Sequence, residues 1–249
     1  MTEEINQAEL NRRDFLKFGA GAFATTIIPL ANSAQSVLAE EITTLNKTNN
    51  NIQAKDFSPL VTIPPAGMSS RQINEHLGLY RKYVISLNKT QETEKKTGIT
   101  HDTLINKGFA YGGTLLHELY FGNLSSKPAQ LNYQSLLMQA IERDYGAYEG
   151  LINNFKEAGL NARGWAIFGL NLFDGKLNIY GMDSHNEGSA LMFIWPIIVL
   201  DVYEHAYMID HGTNKTAYLD NFMKNIDWSI GEARFLQGLK TLKNNTLII

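Results

Sequence analysis

The stretch Asp201-Val202-Tyr203-Glu204-His205-Ala206-Tyr207 decides how this chain is read. It follows the apolar run Met192–Leu200, whose Ile197, Ile198 and Val199 favour a strand. An Asp and a His stand four residues apart just after that run. If the chain turns helical there, both side chains lie on one face, one above the other. A carboxylate oxygen and an imidazole nitrogen then reach the same point. That donor pair suits a first-row transition metal of intermediate softness, such as iron or manganese. By spacing alone, Asp201 also reads as a helix N-cap after a strand, and most i,i+4 pairs are not ligands.

Two more strand-like runs precede this one. Gly164–Leu170 and Leu177–Met182 are separated by Asp174-Gly175, a hairpin turn signal. Upstream the periodicity is helical. Ser69-Ser70-Arg71-Gln72 reads as a helix start, and Ile73, His76, Leu77, Tyr80, Tyr83, Val84 and Leu87 recur at helical spacing. A second block carries Leu104, Phe109, Leu115, Leu116, Leu119 and Tyr120. Its Gly112-Gly113 pair suggests close helix packing or a bend. Leu131–Ala158 reads as further helix, and helical patterns resume at Ala217–Ile226 and Ile230–Leu242. Helices, then three strands, then helices imply an α+β fold with an antiparallel sheet. The expected division is a helical hairpin domain over 66–128 and a C-terminal domain over 129–249. The latter would hold the three-stranded sheet, further helices and the metal site.

The 249 residues, 44% hydrophobic and 19% charged, suffice for one or two domains with a core. A net charge of −3 gives no reason to expect a nucleic-acid partner. The absence of cysteine excludes disulfides, thiolate zinc sites, iron–sulfur clusters and a Cys nucleophile.

The N-terminus has its own logic. Asn11-Arg12-Arg13-Asp14-Phe15-Leu16-Lys17 resembles the twin-arginine signal, S/T-R-R-x-F-L-K, with Asn11 where Ser or Thr is commoner. Phe18–Leu30 is a weakly apolar run, too short for a membrane span of roughly 20 apolar residues. Val37-Leu38-Ala39 then offers a small-residue cleavage site after Ala39. The order implies a signal peptide over 1–39, read by the twin-arginine export machinery, and a periplasmic or otherwise extracytoplasmic destination. Such a signal is an address and not a stable membrane anchor. Residues 40–65 are polar and Asn-rich, and read as a linker.

The motif at Asp201 resembles the C-terminal metal motif of iron/manganese superoxide dismutases, D-x-W-E-H-A-Y, with Tyr203 in the Trp position. Phe109 to Phe121 resembles the family's second helix, in which His117 would bind the metal. Asn74 to Asn88 resembles its first helix, with His76 as the matching ligand. Asn225-Ile226-Asp227-Trp228 is like the family's N-W-D ending. The resemblance implies one Fe or Mn ion per subunit on His76, His117, Asp201 and His205. It implies conversion of superoxide to dioxygen and hydrogen peroxide. It further implies a homodimer in which Glu204 meets His205 of a second subunit, and Trp165 beside the metal pocket.

Two departures mark this chain. The family commonly has a Gln hydrogen-bonded to solvent on the metal, supplied from one of two places. Here these hold Gly113 and the loop Asp183-Ser184-His185-Asn186, so His185 is expected to reach the solvent as a donor. The first helix is also one residue shorter between the ligand His and Tyr-Val. Either Tyr83 then serves as the gateway Tyr, or Tyr80 and Val84 take the places of the channel His and that Tyr. These departures motivate an alternative, a metal-binding relative without fast dismutase turnover; a metal-dependent peroxidase is a third reading. His101 and His211 match nothing and are expected at the surface.

Overall fold

A computed structural model describes residues 51–187 and 193–244. The expected signal peptide at 1–39, the beginning of the linker at 40–50, and Met192 at the start of the third apolar run lie outside them. The described residues from Ile52 onward belong to one compact unit.

The part of the expected linker within the described residues is packed. Ile52 donates its N–H to Asn88 Oδ1 at 2.9 Å, and Asn88 Nδ2 returns a bond to the Ile52 carbonyl. Phe57 packs on the core, and the short helix α1, Pro59–Thr62, buries Leu60. Apolar residues spaced through this polar segment supply the anchor that its Asn-rich centre lacks.

Two long helices follow, α2 (Ser70–Thr97) and α3 (His101–Gly122). Ser69 caps α2 by accepting the Gln72 N–H. Gly98, at φ 79°, ends it, and Thr100 opens α3 with a reciprocal capping box to Thr103. The helices are antiparallel: His76 near the start of α2 meets Phe121 at the end of α3, while Tyr83 meets Phe109. Helix α3 runs unbroken through Gly112-Gly113, so the pair serves close packing rather than a bend. A Cβ on Gly113 would lie 2.6 Å from the Tyr83 ring. With small residues such as Ala110 and Gly113 on the inner stripe, Leu104, Phe109 and Leu115 remain largely solvent-exposed.

The helix expected over 131–158 is two helices, α4 (Leu136–Tyr145) and α5 (Tyr148–Asn161). Gly146 adopts φ 77° and stops the first, a conformation costly for any residue with a Cβ. Strands β1 (Trp165–Asn171), β2 (Leu177–Met182) and β3 (Ile194–Asp201) form an antiparallel sheet in the order β2-β1-β3. The chain closes with a 3-10 turn at Glu204–Ala206, then α6 (Met208–His211), α7 (Lys215–Lys224) and α8 (Trp228–Asn244). One core joins the hairpin to the sheet, with Tyr120, Trp165, Phe168, Ile198, Leu200 and Phe222 fully buried.

The junction of hairpin and sheet is hydrogen-bonded as well as apolar. Asn123, buried just beyond α3, accepts the Val199 N–H and donates to the Tyr120 and Val199 carbonyls. Arg234 of α8 donates to Asn123 Oδ1 and to the carbonyls of Ile197 and Leu119. These bonds fix the last turn of α3, just beyond His117, against β3, which ends at Asp201.

Candidate metal centre

Four side chains from distant parts of the chain converge where the hairpin meets the sheet. His76 comes from the second turn of α2 and His117 from near the end of α3. Asp201 is the last residue of β3, opposite Trp165 in the sheet register. His205 sits in the 3-10 turn that follows. The local geometry corrects the helical reading of 201–205. The chain is extended through Asp201 and then tightens into a 3-10 turn, and this brings the pair together without an α-helical face.

The Nε2 atoms of His76 and His205 both lie 3.2 Å from Asp201 Oδ2, and that of His117 lies 3.6 Å away. One ligand atom from each of the four can be chosen so that all lie within 4.8 Å of one another. His76, His117 and Asp201 are buried, and the His205 side chain is 29% exposed. Three imidazole nitrogens and a carboxylate oxygen form a donor set suited to iron or manganese.

The protonation pattern agrees with a metal site. His117 Nδ1 lies 2.6 Å from the Gly113 carbonyl, which can only accept, so Nδ1 carries the proton. Its Nε2 then presents a lone pair to the cluster, buried and without a hydrogen-bond partner. Such an orphan is costly unless something satisfies it. Burial pushes the His117 imidazole down to about 3 and also lowers that of His76, which favours the neutral, ligating form. Burial alone would raise the Asp201 carboxyl. Charge and hydrogen bonding from His205 and His76 outweigh it and hold the group below the usual carboxylate range. The residues therefore fit an iron or manganese ion.

Around the quartet stand groups that position it. Asp201 Oδ1 accepts the Tyr203 N–H at 3.0 Å. Tyr218 donates to the Asp201 carbonyl at 2.7 Å and lies 3.1 Å from the Tyr120 hydroxyl. The single proton of Tyr218 is committed to that carbonyl, so Tyr120 is the donor between the two phenols. Gln72 donates to the His205 carbonyl at 2.6 Å and accepts the Ile209 N–H at 3.1 Å. It thus ties the 3-10 turn and α6 to α2. Gln72 and Tyr218 were not singled out from sequence. The signal for Gln72 was its place one turn before His76; nothing local marks Tyr218.

His185 is buried, and Trp165 donates its indole N–H to His185 Nδ1 at 2.9 Å. The proton of neutral His185 therefore sits on Nε2, 2.8 Å from the Tyr83 hydroxyl oxygen. This corrects the expectation that His185 donates directly to solvent on the metal: its one N–H is taken by Tyr83 and its other nitrogen by Trp165. Burial lowers the His185 imidazole to about 4 and raises the Tyr83 phenol to about 12. The Tyr83 and Trp165 rings lie 5.2 and 5.1 Å from that of His117, which puts both beside the quartet. The Tyr80 ring also stacks toward His117 at 6.4 Å, but its hydroxyl is engaged elsewhere: it donates to Glu118 at 2.9 Å and accepts the Lys55 N–H at 2.8 Å. Glu204 is exposed next to His205. His101 is exposed, and His211 Nε2 lies 3.1 Å from the Gly67 carbonyl, away from the quartet.

Fold and site together define a metalloprotein with one buried centre between a helical hairpin and a three-stranded antiparallel sheet. The family model described as iron/manganese superoxide dismutases, C-terminal domain, matches residues 133–234. An iron superoxide dismutase of Aquifex aeolicus is 35% identical over 191 residues, covering 70% of this chain and 87% of its own length. One from Bacteroides fragilis is 30% identical, covering 67% and 90%. A manganese superoxide dismutase of Haloferax volcanii is 29% identical, covering 65% and 83%. The chain belongs to the iron/manganese superoxide dismutases. It converts superoxide to dioxygen and hydrogen peroxide with Fe or Mn as cofactor.

Proposed function

We propose that His76, His117, Asp201 and His205 hold the iron or manganese ion, and that His185 and Tyr83 complete the site. The observation that supports this most is the convergence of three imidazole Nε2 atoms on one carboxylate oxygen. When bound, the metal supplies a one-electron couple between the oxidation and the reduction of superoxide. Two superoxide ions and two protons give one dioxygen and one hydrogen peroxide, so the protein must deliver protons to one half of the reaction.

Tyr83 and His185 suit that task. At neutral pH both are uncharged, because burial disfavours the phenolate and the imidazolium. Trp165 fixes the His185 tautomer, and His185 donates its Nε2 proton to the Tyr83 oxygen. The Tyr83 proton is then left to face solvent or substrate at the mouth of the site. We assign the gateway to Tyr83 and not Tyr80, whose hydroxyl is taken by Glu118. The test is superoxide consumption by metal-loaded protein alongside its metal content. His117→Ala should lose both. A variant that keeps its metal and its turnover would exclude the assignment.

Two further readings come from the sequence. A homodimer would place exposed Glu204 against His205 of a second subunit, orienting that ring and raising its basicity. The Arg12-Arg13 segment with the Ala39 cleavage site supports twin-arginine export, with the mature chain starting near Glu40 in the periplasm or another extracytoplasmic space. Among the described residues no helix is long and apolar enough to cross a membrane.

A further inference from the structure

We infer that Tyr203 is a positioning residue whose hydroxyl pins the loop that brings His185 into the site. This rests on the assignment of His185 to the site. Tyr203 stands where the family motif carries Trp, and its ring is wedged among three groups of the centre. It stacks on His205 at 5.3 Å with an interplanar angle of 18°. It lies 5.2 Å from His185 and meets Trp165 edge-on at 6.2 Å. Gly164 makes the room: a Cβ there would fall 2.9 Å from Cε2 and Cζ of Tyr203.

From that position the phenol donates to the Asp183 carbonyl at 2.8 Å, two residues before His185. The main chain of Tyr203 donates to Asp201 Oδ1 at 3.0 Å. One residue thus bonds to the carboxylate of the quartet through its backbone and to the His185 loop through its side chain. The loop has bonds of its own. Asp183 accepts the Arg163 N–H at 3.2 Å and donates to Glu187 at 2.7 Å, and Ser184 donates to Asn186 at 2.7 Å. Among these, the Tyr203 bond is the one that comes from the segment bearing Asp201 and His205. An indole has its donor on the side of the ring and not at its tip, so a Trp at 203 would not reproduce this contact. Tyr203 and His185 act in this chain as a linked pair.

The test is Tyr203→Phe, which keeps the ring and removes the hydroxyl. Hydrogen exchange at the amides of residues 184–187 should rise by about two- to tenfold, the effect of one net hydrogen bond. Metal content should be unchanged, and turnover should fall by a similar factor. In a His185→Ala background the same substitution should leave turnover unaffected, because two residues acting through one path are not additive. Unchanged exchange would overturn the proposal, as would an equal loss of turnover in both backgrounds. Unchanged turnover in His185→Ala alone would instead overturn the placement of His185 at the site. Exchange in Tyr203→Phe would then still decide whether the hydroxyl holds the loop.

Discussion

Gly112 offers a sharp test of the packing behind the site. It lies on α3 where the His185 loop crosses, and a Cβ built there would fall 2.0 Å from the His185 carbonyl oxygen. Ordinary contact begins at 3.4 Å, so in Gly112→Ala the loop must withdraw by about 1.4 Å. The obstructing atom is backbone, so a side-chain rotation cannot relieve it. The His185–Tyr83 bond, now 2.8 Å, would stretch past hydrogen-bonding range. Overpacking of this kind costs about 1–3 kcal/mol, while Ala gains about 1 kcal/mol over Gly inside a helix. The net loss is about 0–2 kcal/mol, or a fall in Tm of at most about 8 °C for a domain of this size. Turnover should fall by roughly tenfold or more, the scale seen when a partner just outside the metal ligands is lost. Metal content should hold, because the loop takes up the shift while His117 stays tied to the Gly113 carbonyl of its own helix. Gly78→Ala in α2 is the control: nothing lies within 4 Å of its Cβ, so Tm should rise by about 2–4 °C with turnover unchanged. Calorimetry, metal analysis and superoxide consumption read all three quantities. If Gly112→Ala behaves like Gly78→Ala, the close approach of loop and helix is not there.

The metal-free chain should lose stability on acidification. Burial lowers the imidazoles of His76, His117 and His185 below the ordinary value of 6.5. The unfolded chain therefore takes up these protons first as pH falls. Stability should be unaffected above pH 6.5 and fall below it, by up to about 1.4 kcal/mol per pH unit per histidine. The His185 contribution levels off near pH 4 and that of His117 near pH 3. The depressed Asp201 carboxyl adds a further loss below its ordinary value of 3.8. Denaturant titrations of chelator-treated protein at pH 7 and pH 5 measure this, and equal midpoints would contradict it. Glu204→Ala should weaken both subunit association and metal retention, read by ultracentrifugation and metal analysis; a fully metallated dimer would remove the bridge. Arg12→Lys with Arg13→Lys should leave the precursor in the cytoplasm, and equal export of the double variant would refute the signal.

The strands are legible because two short apolar runs flank the turn signal Asp174-Gly175 and a third carries the β-branched Ile197, Ile198 and Val199. The long helices were legible from the spacing of Ile73, Leu77, Tyr80 and Val84. The break at Gly146 was not, because a single Gly inside a helical pattern reads as a tolerated weak point until its φ is known. The four converging residues are all legible in the sequence, but the local structure at 201–205 is not. Four-residue spacing permits an α-helical face but does not require one, and a strand end followed by a 3-10 turn achieves the same approach. Tyr218 and the hydroxyl of Tyr203 are silent in the sequence, and Gln72 is marked only by its place one turn before His76, because each acts on a partner through tertiary contact. Their partners are His205, Asp201 and Asp183, and only the folded chain sets those distances. The packed anchor at Ile52, Phe57 and Leu60 was hidden by the polar composition around it.

The proposed roles of His185, Tyr83 and Tyr203 all depend on one iron or manganese ion held by His76, His117, Asp201 and His205. Anomalous diffraction from crystals of the protein, collected on both sides of the iron and manganese absorption edges, tests it most directly. One peak per chain is expected, about 2.0–2.2 Å from the Nε2 atoms of the three histidines and from Asp201 Oδ2. A peak at other residues, or His76 turned away from an ion held by the other three, would contradict it.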